Sequence, residues 1–189
     1  MKTFTPVFLL VLLFTFSCHS QSNSFTLEHV GKAVEESGFQ IETIAPDDIV
    51  EASRLNKLTL VYMWTTWCMP SKKNIDGVLM PLIDSLGSSG VSVLLVAAST
   101  EEDKVKNILS EKKYPIQSYM IHGQKMTGGL FDKNAMKKMS KKVAAHSGQK
   151  VKVPFASPII FMLDSSGTLI EFDIGNGYET IFRTVENNL

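Results

Sequence analysis

Apolar residues follow two alternating patterns from about residue 39 to the C-terminus. Nearly continuous apolar runs, typical of strands buried on both faces, occupy Leu58–Trp64 and Val91–Ala98. Between them lie segments whose apolar residues recur at three- and four-residue spacing, which is typical of amphipathic helices. Strands that alternate with helices predict an α/β fold in which helices cover both faces of one sheet.

The pattern predicts six helices, at residues 25–37, 46–56, 71–86, 101–113, 128–145 and 178–188. It predicts six strands, at residues 39–44, 58–64, 91–98, 116–121, 159–163 and 168–174. The inner face of the second helix is assigned to Ile49, Ala52 and Leu55. Pro81 lies inside the third helix and predicts a kink there. A tight turn at 164–167 joins the last two strands, so that edge of a mixed sheet should be antiparallel.

The N-terminus has the pattern of an export signal. Lys2 supplies a basic start, Val7–Phe16 is a short apolar run, and small polar residues follow. The run is too short to span a bilayer as a mature helix. A buried core helix is the alternative, but the run is apolar all round and stands at the extreme N-terminus. These features favour a signal peptide at residues 1–17.

Two processing routes are open at Cys18. Thr15-Phe16-Ser17-Cys18 resembles a bacterial lipoprotein box, in which the cysteine is acylated, although leucine is usual where Thr15 stands. The alternative is ordinary cleavage after Ser20. We favour lipidation, with residues 18–24 as a tether and 25–189 as one domain. On either route Cys68 is the only free thiol left, and a lone cysteine in an exported protein indicates reactivity or intermolecular pairing.

Charge and composition restrict the possible partners. The 189 residues hold 19 basic and 19 acidic side chains, so no global charge points to nucleic acid. The histidines lack metal-ligand spacing, and no glycine-rich phosphate loop is present, so neither a metal nor a cofactor is expected. One local excess stands out: eight lysines against the single acid Asp132 between Lys125 and Lys152. A solvated helix face explains it, and docking to an anionic partner or membrane is the alternative.

Cys68 stands where a buried strand leads into a helix. The unsatisfied N–H groups of a helix start, with Lys72 and Lys73 nearby, favour a thiolate there. Pro70 suits a first helical turn, because its missing N–H costs nothing at that position. A small buried cysteine at a strand end is the alternative. The surrounding Trp-Cys-x-Pro-x-Lys pattern favours an active-site position instead.

Leu58–Lys73 resembles the active-site strand, loop and helix start of the thioredoxin superfamily, and is most similar to the membrane-tethered, extracytoplasmic thioredoxins of bacteria. The segment from Ala156 to Asp164 is similar to the one that carries the family's cis-proline. The resemblance covers roughly Phe39 to Leu189. It implies a thioredoxin-like three-layer α/β/α sandwich with a mixed central sheet. It also implies that Pro158 is a cis-proline facing Cys68.

The sequence departs from the family pattern at two positions. Ser71 replaces the second cysteine, which in the dithiol mechanism resolves the mixed disulfide. The Ser71 hydroxyl can instead donate a hydrogen bond to the Cys68 thiolate. Tyr62 stands where many relatives carry a buried acid, and it cannot act as a base near neutral pH.

Together these features predict an exported, lipid-anchored, periplasm-facing protein that forms mixed disulfides through one thiol. It would be a thiol-disulfide oxidoreductase or isomerase that lacks the resolving cysteine, and its partners would be envelope thiols and disulfides or a small thiol. Cys68 and Ser71 would form the reactive pair. The substrate-binding residues would be Trp67, Met69, Pro70, Ser157 and Pro158. The alternatives are a non-catalytic binding module of the cell envelope and an assembly component in which Cys68 is incidental.

We expect the mature protein to carry lipid on Cys18, because the apolar run ends directly before Ser17-Cys18. Mass spectrometry of the N-terminal peptide measures this, and Cys18→Ser should abolish the modification. An unmodified N-terminus at Gln21 would show that ordinary cleavage after Ser20 takes place instead.

Overall fold

The computed structural model describes residues 25, 27, 41–86, 89–99, 101–112, 114, 116–121, 133–153, 157–175 and 178–188. The signal peptide and tether predicted above, and most of the first predicted helix, lie outside these residues. None of the helices in the described ranges is both long enough and apolar enough to cross a membrane.

The described residues contain one sheet of six strands in the order β1-β4-β3-β2-β5-β6. The four strands from β1 to β2 pair in parallel, while β5 and β6 are antiparallel to their neighbours. The predicted mixed sheet with an antiparallel edge is therefore confirmed. The strands are β1 (Glu42–Ile44), β2 (Leu58–Trp64), β3 (Val91–Ala97), β4 (Ser118–Ile121), β5 (Ile159–Asp164) and β6 (Leu169–Ile174).

Helices cover both faces of this sheet. One layer packs against a core that includes Leu79, Val105 and Ile181, and the other against a core that includes Ile49 and Met139. The helices of the first layer are α2 (Met69–Asn74), which continues through a π-helical segment (Ile75–Leu79) into α3 (Met80–Leu86), then α4 (Glu102–Lys112) and α6 (Tyr178–Asn188). Those of the second layer are α1 (Pro46–Ser53) and α5 (Lys133–His146).

Strand β2 lies between the two layers. Its side chains alternate between the cores: Tyr62 and Trp64 enter the first, while Val61 and Met63 enter the second. All seven of its residues are buried, which explains the uninterrupted apolar run in the sequence. Because β2 is paired on both edges, its carboxyl end has a fixed position, and the Cys68 loop begins there.

The predicted extent of the second helix was wrong at its end. Helix α1 ends at Ser53, and Leu55, assigned above to its inner face, is 57% exposed. After Ser53 the backbone forms tighter bonds three residues apart, such as Leu55 N–H to Ala52 O at 3.2 Å. The tighter winding turns Leu55 away from the core, while Ile49 and Ala52 remain buried as predicted.

The third predicted helix begins two residues earlier than expected, at Met69, and its irregularity lies just before Pro81. In the π-helical segment the N–H of Met80 bonds to the carbonyl of Ile75, five residues back. A proline inside a helix donates no hydrogen bond and its ring crowds the carbonyl four residues earlier, here that of Gly77. The wider turn is where the helix accommodates Pro81.

Strand β6 is an edge strand and is only half-buried along most of its length. Two of its backbone donors bond to carboxylates of their own strand. The N–H of Phe172 donates to Glu171 Oε1 at 3.2 Å, and the N–H of Ile174 donates to Asp173 Oδ1 at 2.5 Å.

The turn between β5 and β6 packs closely on α1. Asp164 Oδ1 accepts bonds from the N–H groups of Ser166 and Thr168, at 2.8 and 3.0 Å. Burial alone would raise the pKa of Asp164, but the Ser166 hydroxyl and these N–H groups lower it below its usual value. Gly167 has φ +83°, and a Cβ there would lie 2.8 Å from Val50 Cγ1. The position therefore requires glycine for both backbone and space.

We expect Gly167→Ala to lower the free energy of unfolding by roughly 2 kcal/mol, because it adds a left-handed alanine and a clash with Val50. Gly148→Ala is the matched control: Gly148 has φ +69° and no atom lies within 4 Å of the position that its Cβ would take, so only the conformational cost of about 1 kcal/mol applies. Urea unfolding measures both. Equal losses in the free energy of unfolding for the two variants would show that α1 shifts to make room for the extra methyl group without cost.

Candidate active site

Cys68 lies in the loop between β2 and α2 and is the residue that precedes the first helical turn. Its N–H donates to Thr65 O at 3.2 Å, which closes a turn after β2, and its carbonyl accepts the N–H of Lys72 at 3.2 Å, which begins the helix. The sequence predicted this strand-to-helix position. The Cys68 backbone is thus held from both sides.

The chain before β5 approaches the same thiol. The Ser157–Pro158 peptide bond is cis, as the resemblance implied. Cys68 Sγ donates to the carbonyl of Ser157 at 3.4 Å, across 89 residues of sequence. The Thr65 hydroxyl also donates to Ser157 Oγ at 3.3 Å. The structure therefore brings Ser157 and Pro158 beside Cys68.

Exposure differs sharply among the motif residues. Cys68 itself is only 7% exposed, and Pro158 is buried. Trp67 and Met69 are 42% and 57% exposed, and Pro70 is also exposed. The thiol thus lies beneath the surface, flanked by large apolar side chains that solvent can reach. Large exposed apolar side chains grouped in this way are typical of surfaces that bind a partner.

Ser71 makes a different contact from the one expected. Its hydroxyl donates to the carbonyl of Cys68 at 2.8 Å, so its single proton is not directed at the sulfur. The reason is local, since a serine on the first helical turn is well placed to bond to the backbone carbonyl three residues earlier. Ser71 is fully buried.

Tyr62 also contributes to the active-site helix. Its hydroxyl is buried and donates to the carbonyl of Ser71 at 2.8 Å. The side chain thus fixes the first turn of α2 to the central strand, which a carboxylate at this position could not do by donating. The sequence identified Tyr62 only as a missing acid, and its hydrogen bond becomes evident only in three dimensions.

A second polar attachment holds the helix farther along and was missed in the sequence. Asp76, in the π-helical segment, accepts bonds from Tyr114 Oη at 2.5 Å and from Lys112 Nζ at 2.7 Å. Burial alone would raise the pKa of Asp76, but these two hydrogen bonds and the lysine charge lower it. Burial, together with Asp76, raises the pKa of Tyr114. The three residues lie up to 38 positions apart, so no sequence periodicity indicates them.

Thr65 was missed as well, although a signal for it exists. It is the first polar residue after an apolar run, at the carboxyl end of a strand, where ligand-contacting residues commonly lie in α/β folds.

Among the residues the structure describes, no group of three histidine, cysteine or acidic side chains could hold a metal ion.

Several solved structures of bacterial proteins have a similar backbone. A thiol-disulfide oxidoreductase from Bacteroides fragilis has 12% identity and a TM-score of 0.50, covering 71% of this chain and 82% of its own. A protein provisionally described as the thiol:disulfide interchange protein DsbE, from Chlorobium tepidum, has 13% identity and a TM-score of 0.53, covering 73% and 84%. One provisionally described as a thioredoxin, from Neisseria meningitidis, has 14% identity and a TM-score of 0.51, covering 72% and 77%.

No family model matches the sequence, and no curated protein matches it either. At these levels of identity the structural similarities show the fold alone. The chain has the thioredoxin-like fold, and the predicted three-layer sandwich is confirmed.

We expect Asp76→Asn to destabilise the protein by about 0.5–1 kcal/mol at neutral pH, after allowance for solvent screening of the exposed lysine. The pKa of Asp76 is lower in the folded state, so its contribution is complete above the unfolded pKa of about 3.8 and disappears as pH falls through the folded value. Urea unfolding at neutral pH and at a pH below the folded pKa of Asp76 should therefore show the full difference at neutral pH and little difference at the lower pH.

Asp84→Asn is the control for this prediction. Asp84 lies on α3 and is exposed, and the described residues give it no hydrogen-bond or ion-pair partner. It should leave stability unchanged at both pH values. A loss at Asp84 equal to that at Asp76 would attribute the effect to general charge rather than to the contacts with Lys112 and Tyr114.

Proposed function

We propose that this protein is an extracytoplasmic thiol-disulfide exchange protein that acts through the single thiol of Cys68. The observation that carries the proposal is the contact between Cys68 Sγ and the carbonyl of Ser157, beside the cis bond to Pro158 and at the start of α2. A thiol between these two segments, within a thioredoxin-like fold, has the surroundings that thiol-disulfide exchange requires.

The proposed reaction has two exchange steps. After Cys68 loses its proton to solvent, the thiolate attacks one sulfur of a substrate disulfide. A Cys68–substrate disulfide forms, the substrate S–S bond breaks, and the other substrate sulfur leaves as a thiolate that takes up a proton. An external thiol, as its thiolate, then attacks the substrate sulfur of the mixed disulfide. It forms a new disulfide with the substrate, and Cys68 leaves as a thiolate.

The need for an external thiol follows from residue 71. A second cysteine there would attack the mixed disulfide internally, whereas the Ser71 hydroxyl has no sulfur to offer and bonds to the backbone of Cys68. In this proposal Ser71 keeps the first helical turn in shape, and the mixed disulfide persists until another thiol arrives. The protein would therefore hold its partner covalently for longer than a dithiol relative does.

Trp67, Met69 and Pro70 would form the surface that meets the substrate, together with Ser157 and Pro158. The first three are exposed and apolar, so they can bury a partner's apolar residues on contact. Cys68 lies beneath them and is 7% exposed, so the substrate disulfide would have to approach between the two segments. Partners of this kind are envelope proteins with accessible disulfides or a small thiol.

In this proposal the protein belongs to the bacterial cell envelope, is anchored by lipid on Cys18 and faces the periplasm. Support comes from the signal-like run Val7–Phe16 and from Ser17-Cys18. Exported compartments are oxidising, so disulfides would be present there as substrates.

A second candidate function is a binding module without turnover. The low exposure of Cys68 favours it, as do the exposed Trp67 and Met69. In that case the apolar motif surface would hold partners noncovalently. The two functions differ in whether Cys68 reacts.

We expect Ser71→Cys to convert a protein that traps disulfides into one that turns over. Residue 71 lies about one helical turn from Cys68, so the two sulfurs should reach bonding geometry, which needs Cβ atoms about 3.5–4.5 Å apart. The variant should form an internal disulfide on mild oxidation, detected by the loss of both alkylation sites. It should also reduce insulin with dithiothreitol at least about tenfold faster than wild type, because an internal thiol replaces a bimolecular step.

Three controls complete this experiment. Wild type and the matched variant Ser71→Ala should each accumulate a glutathione adduct on Cys68 in excess glutathione disulfide, and Cys68→Ala should form none. If Ser71→Cys forms its disulfide without gaining activity, Tyr62 becomes the next position to vary. If wild type forms no adduct under any condition, Cys68 is not an accessible nucleophile and the binding module is the better description.

A further inference from the structure

The second helix layer carries an uninterrupted block of positive charge. From residue 133 to residue 163 the sequence contains seven lysines and no aspartate or glutamate, while the rest of the chain holds twelve basic and nineteen acidic residues. A chain with no net charge is therefore strongly polarised. Six of these lysines have described side chains, and we call them the lysine face: Lys137, Lys138, Lys141, Lys142, Lys150 and Lys152.

The lysine face lies on the solvent side of the molecule. The buried residues of α5, which include Met136, Met139 and Val143, pack against the sheet. At 100° per residue, Lys138 and Lys141 fall on the opposite side of the helix, and Lys137 and Lys142 lie toward its flanks. All six side chains are exposed except that of Lys137, which is partly buried. The core therefore fixes the direction in which these charges point.

Within the described residues, these lysines also lack the carboxylate partners that the lysines of α4 have. On α4, Lys104 and Lys106 pair with Glu101 and Glu102 at 3.2 and 2.6 Å, and Lys112 pairs with Asp76. In the ranges that the structure covers, none of the six side chains of the lysine face has a carboxylate within 4.0 Å. Six uncompensated charges in one patch repel each other, a cost that an anionic partner would remove.

The neighbouring helix α1 carries three acidic residues, but these do not neutralise the lysine face. Of its acids, Asp48 accepts the N–H of Ala45 at 2.7 Å, and Asp47 contacts His146 Nε2 at 2.8 Å. Glu51 is exposed at the far end of the helix. Two of these three carboxylates therefore already have local partners.

The beginning of the described chain lies on the same face of the sheet. The ring of Phe25 packs on Tyr119 with centroids 5.7 Å apart, and both residues belong to the core that α5 covers. Phe25 is the seventh residue after Cys18, and a chain of seven residue steps spans at most about 25 Å. An acylated Cys18 would thus keep the α5 side of the domain, rather than the opposite layer, close to the bilayer.

We propose that the lysine face binds the anionic phospholipid surface beside the anchor and orients the domain on the membrane. The inference rests on the proposed anchor at Cys18. Electrostatic attraction to a surface decays over about 8 Å at physiological salt, so a patch of this kind is weak for a freely diffusing protein. A short tether holds the patch within reach, and each lysine at an anionic surface then strengthens binding about fivefold.

The test compares vesicles of phosphatidylcholine alone with vesicles that also contain phosphatidylglycerol. For the full chain, the ratio of the two partition coefficients cancels the contribution of the anchor. Lys138→Gln with Lys141→Gln should lower this ratio roughly twentyfold at low salt. The matched variant Lys104→Gln with Lys106→Gln loses the same charge from the other layer and should lower it less than about threefold.

A footprint supplies the second readout. Acetylation of wild type, followed by mass spectrometry, should show protection of the lysine face by phosphatidylglycerol vesicles and none at Lys104 or Lys106. Equal ratios for wild type and the Lys138/Lys141 variant would overturn the proposal. So would protection of the lysine face by soluble polyphosphate but not by vesicles, which would indicate a soluble polyanion as the partner.

Failure here can be told apart from failure of the proposed function. Cys68→Ala should leave the vesicle ratio unchanged, and the glutathione adduct on Cys68 is measured in solution without lipid. A normal adduct with an unchanged ratio in the Lys138/Lys141 variant removes only the membrane contact. Absence of lipid on Cys18 would also overturn the proposal, because the tether that holds the lysine face near the bilayer would be missing, and it would leave the chemistry of Cys68 unaffected.

Discussion

The burial of β2 on both faces is the constraint on which the rest of the structure depends. Its alternate side chains fill two separate cores. One of its edges pairs with β3 in parallel, and the other pairs with β5 in the antiparallel direction. Neither helix layer can shift along β2 without exposing apolar surface or breaking ladder hydrogen bonds. The loop that follows Trp64 therefore begins at a fixed position. A reactive side chain in this loop is held in place by the fold and needs no contacts of its own for this.

The polar contacts around the loop extend this order into the first turn of α2. Tyr62 bonds to the carbonyl of Ser71, and the Ser71 hydroxyl bonds to the carbonyl of Cys68. The strand, the helix and the thiol-bearing residue are thus joined through the backbone carbonyls of Ser71 and Cys68. The serine that cannot resolve a disulfide still has a structural role. The position of Tyr62 is occupied by a residue that anchors the helix rather than one that transfers protons.

Much of this arrangement could be predicted from the sequence, because it is encoded locally. The apolar run of β2 and the Trp-Cys-x-Pro pattern place Cys68 at a strand-to-helix junction without reference to distant residues. The features that could not be predicted depend on contacts between residues far apart in the sequence and on how tightly the backbone winds. Leu55 is exposed because a few backbone bonds tighten after Ser53, and the attachment of Asp76 to Tyr114 joins residues with no shared periodicity. The proton of Ser71 is directed by local geometry that residue identity alone leaves open.

The edge of the sheet formed by β6 has a consequence for the protein at high concentration. An exposed edge strand offers unpaired N–H groups to which a second chain can add, and such pairing leads to aggregation. On β6, the N–H groups of Phe172 and Ile174 already donate to the carboxylates of Glu171 and Asp173. An incoming strand would have to displace these bonds and approach two negative charges. At β6 the sheet thus limits its own growth with residues that lie on the edge strand itself.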